Sequence, residues 1–316
     1  MFARFFSNNP ARLYLFQCLL FLAVLVLAFA CASPFFLSAS NIGNILTASA
    51  VIGLMALGAT FVIGSGGIDL SSASVMALSG TLCAWTLQKI SAPPALAVLV
   101  GLGAGTACGF LTGWLINVTR APSFIVTLGI MSVVRAAAYI ISDGMPIYGL
   151  PENVTAAGQG DILGIPAPIL LLCAAAVLAY VILTQTRFGL HSLLAGDSVF
   201  AAHAAGISLS RLRLKIYTLA GFFSGLAGLV FMTRTNSGDP SAGMGYELIA
   251  ITAVILGGAN LFGGRASILG TVLGFLCLGV LQNGLNLLAV STYYQILFVG
   301  VVLLAAAFLS RAENRL

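Results

Sequence analysis

L-Y-L-F-Q-C-L-L-F-L-A-V-L-V-L-A-F-A-C-A-S-P-F-F-L-S-A-S-N-I-G-N-I-L-T-A-S-A-V-I-G-L-M-A-L-G-A-T-F-V-I-G-S-G-G-I, from Leu13 to Ile68, contains no charged side chain. A helix that crosses the hydrocarbon core of a bilayer needs about 20 apolar residues, so this stretch holds two crossings. Charge-free runs also separate Lys89 from Arg120 and Arg265 from Arg311. A transmembrane β-barrel would alternate apolar and polar residues in segments of about ten. These runs are apolar on every face and are read as helices. Of the 316 residues 60% are apolar and 7% charged, and the mean hydropathy is +1.09. A soluble domain carries about 25% charged residues, which excludes soluble enzymes, nucleic-acid binders and secreted disulfide scaffolds.

The reading is an all-α polytopic membrane protein, a single transmembrane domain over residues 1–316. Ten spans are expected at about 13–33, 44–63, 69–88, 95–116, 122–142, 166–185, 214–233, 245–262, 266–287 and 291–310. The first is too long for a signal-peptide core of 7–15 residues and is read as a retained helix. With the N-terminus cytoplasmic, Arg4, Arg12, Arg120, Arg187, Arg211, Arg213, Lys215, Arg265, Arg311 and Arg315 fall inside, while Lys89 and Arg234 fall outside. Cytoplasmic loops carry the excess of Lys and Arg, so both termini are expected in the cytoplasm. Two loops are long: an outer one at about 143–165 and an inner one at about 186–214. In the inner loop Asp197 or Ser198 can cap a short helix and Gly206 can end it. Gly64-Ser65-Gly66-Gly67 recurs in outline as Gly257-Gly258 and Gly263-Gly264, which suggests an inverted repeat of five plus five spans.

The usual signatures of catalysis are missing. There is no G-x-x-x-x-G-K-[ST] phosphate loop and no G-x-S-x-G element, and His191 and His203 have no acidic cluster beside them. No catalytic, cofactor or metal site is expected. The cysteines Cys18, Cys31, Cys83, Cys108, Cys173 and Cys277 lack CxxC spacing and read as small buried hydrophobes. Asp69 reads as a cap at the start of the third span, and a gating role is compatible with that. Arg135 stands in mid-span, bonded either to carbonyls or to a carboxylate such as Asp143, or else lining a pathway. Asn117, Gln282, Asn283 and Asn286 read as interhelical hydrogen bonds before ligand contacts.

Several motifs follow in order: G-G-I-D-L-S (Gly66–Ser71), P-S-F-I-V-T-L-G-I-M (Pro122–Met131) with Arg135 and Asp143-Gly144, and T-R-F-G (Thr186–Gly189) with Gly196, Ala201-Ala202 and Gly206-Ile207. Y-E-L-I-A-I-T-A-V-I-L-G-G (Tyr246–Gly258), Gly263-Gly264-Arg265 and N-G-L-N-L-L (Asn283–Leu288) complete the series. Over residues 44–310 the chain resembles the permease subunits of ABC importers for monosaccharides, the ribose and arabinose group. That resemblance implies an inner-membrane permease paired with a second permease subunit, identical or a paralogue. Its other partners would be an ATP-binding subunit with two nucleotide-binding domains, a periplasmic sugar-binding protein and the lipid bilayer, with no nucleic acid. It also implies that Asp197, Ser198, Val199, Phe200, Ala201, Ala202, His203 and Gly206 couple to the ATPase, and that Asp69, Phe124, Arg135 and Asn283 serve the gate or pathway. The family often carries acids where Val199 and Phe200 stand, so Phe200 becomes the expected apolar anchor. The rival readings are a non-sugar cargo such as an autoinducer, a secondary transporter or channel, and a membrane enzyme. A secondary transporter would need more membrane-embedded ionisable groups than Asp69, and an enzyme has no catalytic pair here.

Overall fold

The computed structural model describes residues 10–313, so Arg4 and Arg315 of the basic-residue count lie outside the described residues. Helices occupy nearly every expected span. They are α1 (Pro10–Ala32), α2 (Ala39–Gly64), α3 (Ser72–Lys89), α4 (Pro94–Thr119) and α5 (Ser123–Ile141), then α7 (Ala167–Gln185), α10 (Leu209–Thr235), α11 (Tyr246–Leu256), α12 (Ile268–Leu287) and α13 (Thr292–Glu313). Among the described residues, seven helices are long and apolar enough to cross a membrane. The outer loop adds β1 (Ile147–Tyr148), α6 (Glu152–Gln159), β2 (Asp161–Ile162) and β3 (Ile165–Pro166), and the inner loop adds α8 (Arg187–Asp197) and α9 (Val199–Ala204). Strand β4 (Ser237–Gly238) follows α10 and pairs antiparallel with β1, Ile147 opposite Gly238. That pairing fixes the outer loop over the end of α10.

One expected span is cut short. The eighth ends at Leu256, not near 262, because Gly257 and Gly258 follow and Gly258 takes φ +89°. Eleven residues rise about 16 Å, half of a 30 Å hydrocarbon core. The segment 257–267 that follows is non-helical backbone, held by its own and neighbouring main-chain hydrogen bonds.

Helices α2 and α10 form the centre, with α2 buried almost continuously from Ser49 to Gly64. Helix α10 packs against α4, α3 and α2. Its contact with α4 is made by backbone. Gly101, Gly105, Gly109 and Gly113 stand four residues apart on one buried face of α4. A Cβ added at Gly109 would lie 2.2 Å from the Tyr217 carbonyl oxygen, and one at Gly105 would lie 2.7 Å from the Gly225 Cα. Small residues let membrane helices approach this closely, and the gain is dispersion between main chains. The cysteines divide: Cys18 and Cys277 are buried with sulfurs 3.9 Å apart, whereas Cys31 and Cys173 are exposed on the outside of the bundle. For those two the expectation of burial fails, because α1 and α7 turn only one face inward.

The two glycine clusters meet in space, where Gly264 N–H donates to the Gly64 carbonyl at 3.0 Å. Two Asp-x-Ser turns elsewhere share one geometry. Asp69 Oδ1 accepts from Ser71 N at 2.8 Å and Ser71 Oγ at 2.6 Å, between α2 and α3. Asp239 Oδ1 accepts from Ser241 N at 2.8 Å and Ser241 Oγ at 2.7 Å, between α10 and α11. The first turn follows Gly67, which abuts Tyr217 near the start of α10, and the second follows the end of α10.

The glycine face gives a paired test. Gly109→Ala drives a methyl into a backbone carbonyl and should cost about 3 kcal/mol, while Gly103→Ala, with nothing within 4 Å of the added carbon, should be neutral or gain up to about 1 kcal/mol in helix propensity. Thermal unfolding of the detergent-purified proteins measures the difference.

Candidate functional site

The inner loop is built as two capped helices in series. Thr186 caps α8 by accepting from Gly189 N at 3.2 Å, and Ser198 caps α9 by accepting from Ala201 N at 3.2 Å. Gly206, at φ +76°, ends α9, and Ile207 N–H returns to the Ala202 carbonyl at 3.0 Å. Of the two expected caps Ser198 is the one found, starting a six-residue helix, and Asp197 belongs to the end of α8. The two faces of α9 differ. Ala202 is buried and Ile207 beside it joins the main core, whereas Phe200 is 84% exposed and Val199 62%. Ala201 and His203 are also exposed. On α8, Phe188 stacks on Phe61 of α2 with ring centroids 6.0 Å apart.

The end of α8 meets two helix breaks at once. A Cβ at Gly196 would stand 2.1 Å from the Gly64 carbonyl oxygen and 2.6 Å from Gly264 N. A Cβ at Gly263 would stand 2.7 Å from Gly66 N. Three backbones therefore touch: the loop helix, the α2–α3 break and the α11–α12 break. Glycine at 196 is required by the close approach, since any side chain would overlap main chain.

The other expected gate residues surround the α2–α3 break. Ser123 Oγ accepts from Ile68 N at 3.1 Å and Thr127 Oγ1 donates to the Ile68 carbonyl at 3.3 Å. The start of α5 thereby satisfies both backbone groups of a residue that no helix serves. Asp69 is buried but is not the N-cap; Ser71 holds that position and Asp69 closes the turn before it. Phe124, next to Ser123 at the start of α5, is half-exposed. Arg135 Nη1 donates to the carbonyls of Pro240 at 2.8 Å and Ala242 at 2.9 Å, which ties mid-α5 to the α10–α11 connection. The carbonyl alternative is the one found, and Asp143 is not the partner. Asn283 and Asn41 exchange amide hydrogen bonds of 2.9 and 3.0 Å, joining α12 to α2. Asn286 accepts from Gln295 at 2.7 Å, and Asn117 donates to the Ser210 carbonyl at 2.8 Å while accepting from Arg213 at 3.1 Å. Gln282 makes no such bond and lines an outer cavity.

Two features escaped the sequence reading. The Gly101–Gly113 face was legible as a four-residue spacing. The meeting of Gly196 with Gly64 and Gly263 had no local signal, because its partners are far apart in the chain. Among the described residues no group of three His, Cys, Asp or Glu side chains is placed to hold a metal.

A polytopic helical bundle with non-helical breaks between its helices has the architecture of a membrane transport protein. The chain belongs to the family described as the branched-chain amino acid transport system / permease component, which matches residues 41–307. It is 42% identical to the ribose import permease protein RbsC of Bacillus subtilis (strain 168) over 93% of this chain and 91% of that protein. It is 36% identical to the D-allose transport system permease protein AlsC of Escherichia coli (strain K12), over 93% and 90% respectively. The L-arabinose transport system permease protein AraH of the same strain is likewise 36% identical, over 93% and 89%. No solved structure matches the chain.

The Asp69 turn can be tested directly. Asp69→Asn keeps an oxygen for Ser71 N–H and should retain stability within about 0.5 kcal/mol, whereas Asp69→Leu strands a buried donor at a cost of about 1–3 kcal/mol. Thermal unfolding reads the two values, and full substrate uptake by the Asn variant would leave the carboxylate no charge-dependent gating role.

Proposed function

We propose that this chain is the membrane permease of a binding-protein-dependent ABC importer for a monosaccharide. ATP is hydrolysed on a separate subunit with two nucleotide-binding domains, and a periplasmic binding protein delivers the sugar. The complex sits in the bacterial inner membrane with both chain termini in the cytoplasm. A second copy or a paralogue completes the pathway, and residues 1–316 act as one domain. The sugar assignment rests on the relatives at 36–42% identity.

The observation that carries the coupling role is the two-sided helix α9. Its inner side is locked to the core through Ala202 and Ile207, and its outer side presents Phe200 with no protein over it. A large apolar side chain held out from a rigid mount has the form of an interface anchor. Asp197 and Ser198 set the break before it, Val199, Ala201 and His203 flank the anchor, and Gly206 closes the helix. When the ATPases close, force on Phe200 passes through α8 to Gly196 and onto the breaks at Gly64–Gly67 and Gly263-Gly264. Asp69 and Phe124 stand beside the first break, Arg135 holds the outer connection, and Asn283 holds α12 to α2. These four residues serve the gate and pathway.

Phe200→Ala should leave the permease folded and weaken ATPase association about thirtyfold, the equivalent of about 2 kcal/mol. Titration of ATPase onto the permease in nanodiscs measures it, and unchanged affinity with normal transport would remove coupling from this loop. Orientation is checked by thiol labelling of whole cells. A cysteine at Thr155 should react with an impermeant maleimide, and one at Ser210 should react only after the membrane is opened.

A further inference from the structure

The outer-loop end of the bundle holds a cavity of about 590 Å³ between the ends of α2, α10 and α12, roofed by residues 158–166. Its lining is unusual for this chain. In a sequence with only 8 acids and 13 bases, the cavity gathers Asp161, Arg234, Tyr246, Asn44 and Gln282. The neighbouring amides are already occupied: Asn283 by Asn41, and Asn286 by Gln295. Asn44 lies one turn beyond Asn41 on α2, and Gln282 stands beside Asn283 on α12. Asn41 on α2 and Asn283 and Asn286 on α12 thus lock the bundle, while Asn44 and Gln282 are left facing the cavity. Neither free amide, the guanidinium of Arg234 nor the carboxylate of Asp161 has a hydrogen-bond partner among the described residues.

Three explanations compete for such a cluster. Arg234 could reach for lipid phosphates, as basic side chains near helix ends do, but it is half-buried and shares its cavity with an acid and two amides. A branched-chain amino acid would set its side chain on Ala48, Ile52 and Pro166, but the amides of Asn44 and Gln282 would then be left without hydrogen-bond partners. A polyol uses every group present. Each hydroxyl both donates and accepts, so it can bridge an amide to Arg234 or Asp161, and Tyr246 lines the same cavity. The volume lies within the 300–1,000 Å³ usual for small-molecule sites.

We infer that this cavity is a landing site for the monosaccharide within each permease protomer, occupied after release from the binding protein and before entry to the shared pathway. The inference rests on the import function proposed above.

The experiment uses the permease with its ATPase and binding protein in proteoliposomes. A cysteine in place of the exposed Asn44 should react with an impermeant maleimide added on the binding-protein side. D-ribose, D-allose or L-arabinose at millimolar concentration should slow that reaction at least about threefold, and L-leucine should not. Arg234→Gln and Gln282→Ala should each lower uptake of subsaturating sugar about tenfold at normal membrane level, since each removes a directed hydrogen bond. Arg234→Lys should restore part of the loss. Protection by L-leucine in place of the sugars overturns the polyol assignment. Sugar uptake by the wild-type complex with unimpaired variants and no protection overturns the site alone. A wild-type complex that moves none of these sugars overturns the import function and the site with it.

Discussion

Lipid offers no hydrogen bonds, so every place where a helix stops inside this bundle must be closed by the protein itself. The chain stops its helices at residues 65–71, 236–245 and 257–267, and the rest of the architecture supports those three points. At the first, Ser123 and Thr127 take both backbone groups of Ile68, and Asp69 takes the N–H of Ser71. At the second, Asp239 repeats that turn and Arg135 absorbs two carbonyls. At the third, Asn260 N–H donates to the Arg265 carbonyl at 2.9 Å and Gly264 N–H to the Gly64 carbonyl. The ordered motifs of the sequence are, physically, the closures of these breaks.

That arrangement explains why residues resembling a transport signature are so seldom exposed. Ser123, Thr127 and Arg135 serve the backbone of another segment, and Asp69 closes its own turn. A break held by a few directed bonds has fewer contacts to lose when it moves than a continuous helix has, and it is sited where the loop helix makes contact. Gly196 brings α8 onto the α2–α3 break with no side chain between them. Motion at the loop therefore reaches the break through main chain, which has little freedom to absorb it.

Much of this was legible in the sequence. Charge-free runs located the spans because an unpaired charge at bilayer depth is costly. Ser198, Gly206 and the exposed Phe200 followed from capping chemistry and from the shortage of acids in the loop. What misled the reading was continuity. Apolarity continues past Leu256, so a hydropathy window extends the eighth span, whereas the backbone is stopped by Gly257 and Gly258. The partner of Arg135 was hidden because carbonyl oxygens have no sequence signature. The likeness of the two Asp-x-Ser turns was missed because the pattern is too short to notice until two copies share one geometry.

The glycine face of α4 also has a consequence for biogenesis. Its partner surface on α10 begins at Leu209, and the last residue of α10 follows the last residue of α4 by 116 positions, from Thr119 to Thr235. At a synthesis rate of about 5–20 residues per second, α4 waits on the order of ten seconds for the helix that covers it. During that interval its groove of bare backbone faces lipid or the insertion machinery, and any other helix with a small-residue face is a competitor for it. Helix α3 already lies along part of the groove, where Ser79 contacts the positions of Gly101 and Gly105. Order of synthesis thus makes α3 the escort of α4 until α10 arrives.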